Sequence, residues 1–172
     1  MIQNLQRSFR NYYLVNTAAM QSYFIKLFGY DKWAMTRLLE IFDQKPASNP
    51  RINELLSHMQ STQRIWLERC LGLKESVQRF QTRTQETIWK DMESNHNDWL
   101  AYIHSLGPDD FKRQIVYTNF QGDRLVSILQ DIITQVTNHG THHRGTIIGL
   151  MKEEGYLPPN LDYISYTRLM ES

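Results

Sequence analysis

Three of the six histidines of this sequence crowd into one segment, Asn138-His-Gly-Thr-His-His-Arg-Gly145. Near neutral pH an imidazole serves as a proton-transfer group, a hydrogen-bonding core residue or a metal ligand. Spacing decides which histidines act together. On an α-helix His139 and His143, at i and i+4, stand one above the other with about 40° of rotation between them, while His142 lies about 100° from His143 and about 60° from His139. The apolar residues Leu125, Leu129, Ile132, Val136, Ile147 and Leu150 fall on the same stripe as His139 and His143. These two imidazoles therefore interrupt a core-facing row. Asp131, Gln135, Asn138, His142 and Thr146 form the adjoining polar row, which puts His142 on the flank.

Two unpartnered imidazoles on an inward face are costly. A divalent metal removes that cost, because neutral imidazole is its commonest protein ligand. Two donors hold an ion weakly, so a third is expected from another helix. His58, between Leu55 and Thr62 on a partly apolar face, is the candidate, while His96 and His104 sit among Ser, Asn and Tyr and are expected to face solvent. Spacing alone leaves two readings open, a metal site or a hydrogen-bonded histidine cluster. Three histidines without a carboxylate would leave coordination positions for water or substrate, as catalytic metal sites do. Imidazole donors suit zinc, nickel and other late transition metals.

Competing motifs fail on inspection. The glycines of Gly140 to Thr146 have phosphate-loop spacing, but the lysine is missing and no strand precedes them. Neither a His-Glu-x-x-His peptidase helix nor a Gly-x-Ser-x-Gly elbow occurs. Cys70 reads as an inert buried thiol. Trp33, Trp66, Trp89 and Trp99, at helical spacing, read as core, and Arg144 reads as a surface cation in preference to an anion contact at a pocket rim. Asp31, Glu68 and Asp162 are the carboxylates nearest in kind to a general base, none of them compelling.

The elements that must carry these residues follow from periodicity and punctuation. A first helix is expected from about Thr17 to Asp43, with Met20, Phe24, Leu27, Ala34, Leu38 and Ile41 on one stripe. A second starts with Asn49 as N-cap and Pro50 at the first helical position, runs to Cys70 and stops at Gly72. Residues 73–83 read as a polar connection. A third helix, Gln85 to Leu106, turns Ile88, Met92, Trp99 and Ile103 inward and ends at Gly107-Pro108. Gln114–Thr118 has β character and Asn119–Asp123 reads as a turn, so a short hairpin precedes the last long helix, Leu125 to Glu154, capped by Gly155. The aromatic, proline-containing tail is expected to pack over the helices. The fold class is all-α, an antiparallel four-helix bundle in one domain, residues 1–172.

Composition narrows the function. In 172 residues, 41% hydrophobic and 22% charged side chains describe a chain that folds. A net charge of +1 supplies no field to hold a polyanion, so no nucleic-acid partner is expected. No apolar run is long enough for a membrane span. The start MIQNLQRSFRNYY lacks the apolar stretch of a secretory leader. A cytoplasmic protein acting on a small-molecule substrate is the simplest expectation.

Three segments resemble a known family. GYDKWAMTRLLE (Gly29–Glu40), LLSHMQSTQRIWLERCLG (Leu55–Gly72) and TNHGTHHRGTIIGLMKEEGYLPPNLDYISY (Thr137–Tyr166) are similar to the first-helix signature, the second helix and the final helix and tail of the DinB/YfiT-like proteins. In those proteins the last motif usually reads NHxxHHRGQ; Thr146 stands here where glutamine is usual. The resemblance implies a four-helix bundle, often a homodimer, binding a divalent metal such as zinc, nickel or manganese through His58, His139 and His143. It further implies thiol S-transfer with a low-molecular-weight thiol, or metal-dependent hydrolysis. The alternative is a non-catalytic stress-response protein that binds a metal or ligand.

Overall fold

The structure is a computed structural model that describes residues 2–107 and 109–170, with side chains described from Ala18 onward. Among these residues five α-helices and one two-stranded antiparallel sheet occur. The helices are α1 (Ile2–Gln44), α2 (Pro50–Leu71), α3 (Gln85–Ser105), α4 (Leu129–Glu153) and α5 (Tyr163–Met170). Strands β1 (Gln114–Thr118) and β2 (Arg124–Ile128) lie between α3 and α4. Pro108, expected to end the third helix, lies outside the described residues.

Helix α2 begins and ends where its sequence dictates. The Asn49 side chain accepts a hydrogen bond from the Arg51 N–H at 2.9 Å, satisfying one of the orphan donors of the first turn, and Pro50 occupies a position whose N–H has no helical partner. At the other end Gly72 takes φ 69°, a left-handed conformation open to glycine at little cost, and the N–H groups of Gly72 and Leu73 close on the carbonyls of Arg69 and Glu68. Thr84 caps α3 by accepting from the Thr87 N–H at 3.2 Å.

Helices α1 and α2 each pack against both α3 and α4, and α5 packs on α1. Two apolar cores result. One gathers Leu38, Ile52, Met59, Ile88, Ile147 and Met151; the other gathers Phe28, Trp99, Ile103, Leu129 and Ile133, with the Phe28 and Trp99 rings stacked at 5.1 Å. Each fully buried aliphatic side chain contributes about 2 kcal/mol of transfer free energy. All four expected inward positions of α3 are buried.

Three expectations about the elements need correction. The first helix extends back to Ile2 instead of starting near Thr17. Residues 124–128 form β2, not the opening turn of α4, because Arg124–Ile128 pair in register with Gln114–Thr118. Leu125 thereby leaves the inward stripe and is exposed. The tail does pack over the helices, but part of it is helical: α5 sets Tyr166 beside Tyr30 and Trp33 of α1. No described helix is long and apolar enough to cross a membrane.

Candidate metal centre

Helix α4 presents His139 and His143 on successive turns, and α2 presents His58 opposite them. Each of the three offers a ring nitrogen, and those nitrogens lie within 4.8 Å of one another. The Nε2 atoms of His139 and His143 are 3.0 Å apart, and the His58 ring is centred 5.1 Å and 5.0 Å from theirs. With metal–nitrogen bonds of about 2.0–2.1 Å, neighbouring donors stand about 3.0–3.5 Å apart around an ion. The His139–His143 pair is at that spacing, and the His58 nitrogen lies within 4.8 Å of both.

The second nitrogen of His58 decides its tautomer. Its Nδ1 is 3.1 Å from the backbone carbonyl of Arg79, an oxygen that only accepts, so Nδ1 carries the proton. The Nε2 lone pair is left free, the arrangement in which an outer hydrogen bond orients a ligating histidine. The residue that supplies this carbonyl lies in the 73–84 connection, and the next ring, Phe80, stacks on His58 at 4.9 Å.

That connection is fastened from below. Glu68 accepts hydrogen bonds from the Ser76 N–H and hydroxyl. Arg69 pairs with Glu75 at 2.8 Å. Arg83, almost fully buried, donates to the Ser57 carbonyl at 2.8 Å and the Ser61 hydroxyl at 2.7 Å, and pairs with Asp91 at 2.6 Å. The polar character of residues 73–83 is thus that of a strap built on α2, not of a free linker.

Burial holds the imidazoles in the protonation state that a metal needs. Desolvation first, then the charges of neighbouring histidines and of Arg79, push His139 down to about 3. Desolvation first, then His58, His142, Arg51 and Arg79, push His143 down to about 4. His58 is lowered chiefly by desolvation, against its bond to Arg79. At neutral pH all three are uncharged donors.

Beside the cluster opens a cavity of about 260 Å³ walled by His58, His139, Thr62, Ile65, Trp66, Arg69, Arg79, Tyr117, Asn119, Phe120, Leu125 and Gln135. The Arg69 guanidinium lies over the Trp66, Tyr117 and Phe120 rings at 4.8, 4.9 and 5.2 Å. The sequence did not signal this wall. Trp66 read as core, yet it is only partly buried and faces the cavity; Trp33 and Trp89 are also only partly buried, and Trp99 alone of the four is fully enclosed. The hairpin delivers Tyr117, Asn119, Phe120 and Leu125, and no local pattern marks them as cavity residues.

The remaining candidates separate cleanly. His142 is exposed on the polar row, as expected, and His104 is exposed as well. His96 is not: it is partly buried, and its Nδ1 has no hydrogen-bond partner. Arg144 is not a surface cation. It is 2% exposed and paired with Asp31 of α1, whose other oxygen accepts from Gln63 of α2 at 2.6 Å. Gly140 makes this approach possible, since a Cβ there would collide with the Asp31 carboxylate. Asp31 and Glu68 are therefore engaged in structural bonds, and Asp162 is exposed at the start of α5. Cys70 is buried, and desolvation pushes its thiol up to about 12.

Comparison with known proteins agrees with the motifs. Protein DinB of Bacillus subtilis (strain 168) is 25% identical over 163 residues, a match covering 86% of this chain and 95% of that protein. No solved structure matches the chain. The family model described as DinB family matches residues 31–171, a span that takes in α2, α3, the hairpin, α4 and all three clustered histidines. The chain belongs to the DinB family.

Proposed function

We propose that this protein holds one divalent metal ion through His58, His139 and His143 and uses it on small molecules, with the four long helices acting as one antiparallel bundle that sets the distance between α2 and α4. The observation that carries the reading is the contact of His58 Nδ1 with the Arg79 carbonyl: a carbonyl on a pinned strap accepts the ring's N–H and leaves the other nitrogen's lone pair for the side shared with two neutral imidazoles of another helix. A hydrogen-bonded histidine cluster would need no such directed third member. An ion held there supplies Lewis acidity, lowering the pKa of a bound thiol or water.

The residues around the cluster favour thiol S-transfer over hydrolysis. Among the described residues no carboxylate lines the cavity, so none of them offers a strong general base to take a proton from water. A thiol has a much lower intrinsic pKa and makes a smaller demand. Arg79 adds positive charge beside the cluster, which favours an anionic sulfur over a neutral one. Ile65, Trp66, Tyr117 and Phe120 give an electrophile an apolar, flat surface on which to lie.

The test is elemental analysis of protein purified without an affinity tag, followed by turnover of low-molecular-weight thiols with an electrophile such as chlorodinitrobenzene. Near-stoichiometric metal lost in each of His58→Ala, His139→Ala and His143→Ala, and kept in His142→Ala, supports the site. Metal without turnover of any thiol or ester would favour the non-catalytic binding protein. No metal under any loading condition would sink both readings.

A further inference from the structure

The cavity beside the histidines is asymmetric in charge. Among the described residues two guanidinium groups line it and no carboxylate does. The two are not equivalent. Arg69 is neutralised by Glu75 at 2.8 Å, donates to the Thr118 carbonyl at 3.1 Å and is 9% exposed, so its role is to hold the strap and the hairpin. Arg79 is exposed and has no ion-pair partner among the described residues. Its guanidinium lies over Phe80 at 4.9 Å and Phe120 at 5.0 Å, the latter a ring it shares with Arg69. Contact with two rings restrains a side chain that would otherwise swing free, while its N–H groups remain able to meet a ligand. Its charge is close enough to act on all three imidazoles.

We infer that Arg79 is an anion-recognition residue, and that the cavity takes a small ligand with an apolar, flat body and a carboxylate. The body lies against Trp66, Tyr117 and Phe120 and the carboxylate meets the Arg79 fork. Guanidinium is the fitting partner because its two parallel N–H groups match the two carboxylate oxygens. The backbone of the same residue aims His58, so the strap couples the anion contact to the histidine that it orients. This assignment rests on the cavity being the substrate site of the metal centre, but the contact itself needs no metal.

The experiment measures binding of phenylacetate and of its neutral isostere phenylacetamide by calorimetry, on zinc-loaded and on chelator-stripped protein. Phenylacetate should bind more tightly in both forms. Arg79→Gln should weaken phenylacetate about tenfold or more, the expected loss of a charge-assisted contact, and leave phenylacetamide nearly unchanged. Arg79→Lys should recover part of the loss, because charge returns without the fork. Metal content of each variant, by elemental analysis, reports whether the His58 carbonyl contact survives. If the carboxylate preference disappears on stripping the metal and is indifferent to Arg79→Gln, the ion and not Arg79 is the anion's partner, and the inference fails. Absence of zinc uptake with an Arg79-dependent preference intact would overturn the metal reading and leave this inference standing.

Discussion

Two polar clusters share α4 one residue apart. His139 and His143 look toward His58 of α2; Gly140 and Arg144 look toward Asp31 of α1. The second cluster is compensated in charge, although the buried Arg144 Nε has no hydrogen-bond partner among the described residues. Burial opposes the Arg144 charge, and the Asp31 carboxylate beside it more than offsets that, holding the guanidinium above its ordinary pKa. The first cluster is three donors of one kind, with no acid among them and a cavity at their side. An ion pair of opposite charges holds a fold together by itself, whereas converging neutral imidazoles of one kind, one buried and two half-buried, are also suited to hold a ligand.

The largest difference between the two should appear on truncation. Asp31→Ala leaves the Arg144 charge buried and unpaired, and should cost about 3–5 kcal/mol of unfolding free energy. Replacing both partners, Asp31→Leu with Arg144→Met, should recover most of that. His58→Ala in chelator should cost less than Asp31→Ala, because removing a neutral imidazole that bonds one carbonyl leaves no buried charge unpaired. Urea denaturation of the four proteins checks this. Equal losses for Asp31→Ala and His58→Ala would erase the distinction between a charge pair that holds the fold and a neutral histidine cluster that does not.

Metal should complete the first cluster. At about 100-fold excess of free metal over its dissociation constant the native state gains about 2.7 kcal/mol, which moves Tm by several degrees in a domain of this size. The gain should vanish in His58→Ala, His139→Ala and His143→Ala and persist in His142→Ala. Asp31→Leu with Arg144→Met should keep the gain, since those residues supply no donor. Thermal melts with zinc, nickel and manganese, against chelator, decide it.

Gly140 is the hinge of the comparison. In a helix interior Ala is favoured over Gly by about 1 kcal/mol. Here a Cβ would strike the Asp31 carboxylate and crowd Arg144, both buried and unable to withdraw. Gly140→Ala should therefore destabilise by about 1–2 kcal/mol net, overpacking exceeding the gain in propensity. A stabilised Gly140→Ala protein would show that the ion pair can shift at no cost.

What the sequence made legible follows the range of the interactions. His139 and His143 were grouped by periodicity within one helix, and α2 was bounded by its own cap residues, Asn49, Pro50 and Gly72. The hairpin turn was marked by Gly122, which takes φ 92°. Its second strand was not, because Leu125, Leu129 and Ile132 keep helical spacing; the pairing of Arg124–Ile128 with β1 overrides that local signal. Arg144 departs from its surface reading because its partner is 113 residues away, on α1. Likewise Arg79 and Phe80 lie in a strap with no periodicity, and only the packing of residues 73–84 on α2 places them against His58.

A mild pH step should produce the smallest difference, and one with a definite sign. His139 and His143, facing His58 of α2, His142 of their own helix, Arg51 of α2 and Arg79 of the strap, are pushed down to about 3 and about 4. Burial is the leading cause in both, and the unfolded chain titrates near about 6.5. A histidine whose folded pKa is depressed contributes stability that is present above the unfolded value and is lost as pH falls toward the folded one. Between about pH 7 and about pH 6 the unfolded state takes up protons that the native state refuses, so unfolding free energy falls with pH. His58 and His96, also lowered chiefly by desolvation, act in the same direction. In chelator, Tm should therefore drop over this step, and His139→Gln with His143→Gln should reduce the drop by removing two of the four contributors. Melts at both pH values, for wild type and the double variant, measure it. An identical drop in the two proteins would mean that these half-buried imidazoles are solvated in the native state, and would remove the reason for regarding them as donors held neutral by the fold.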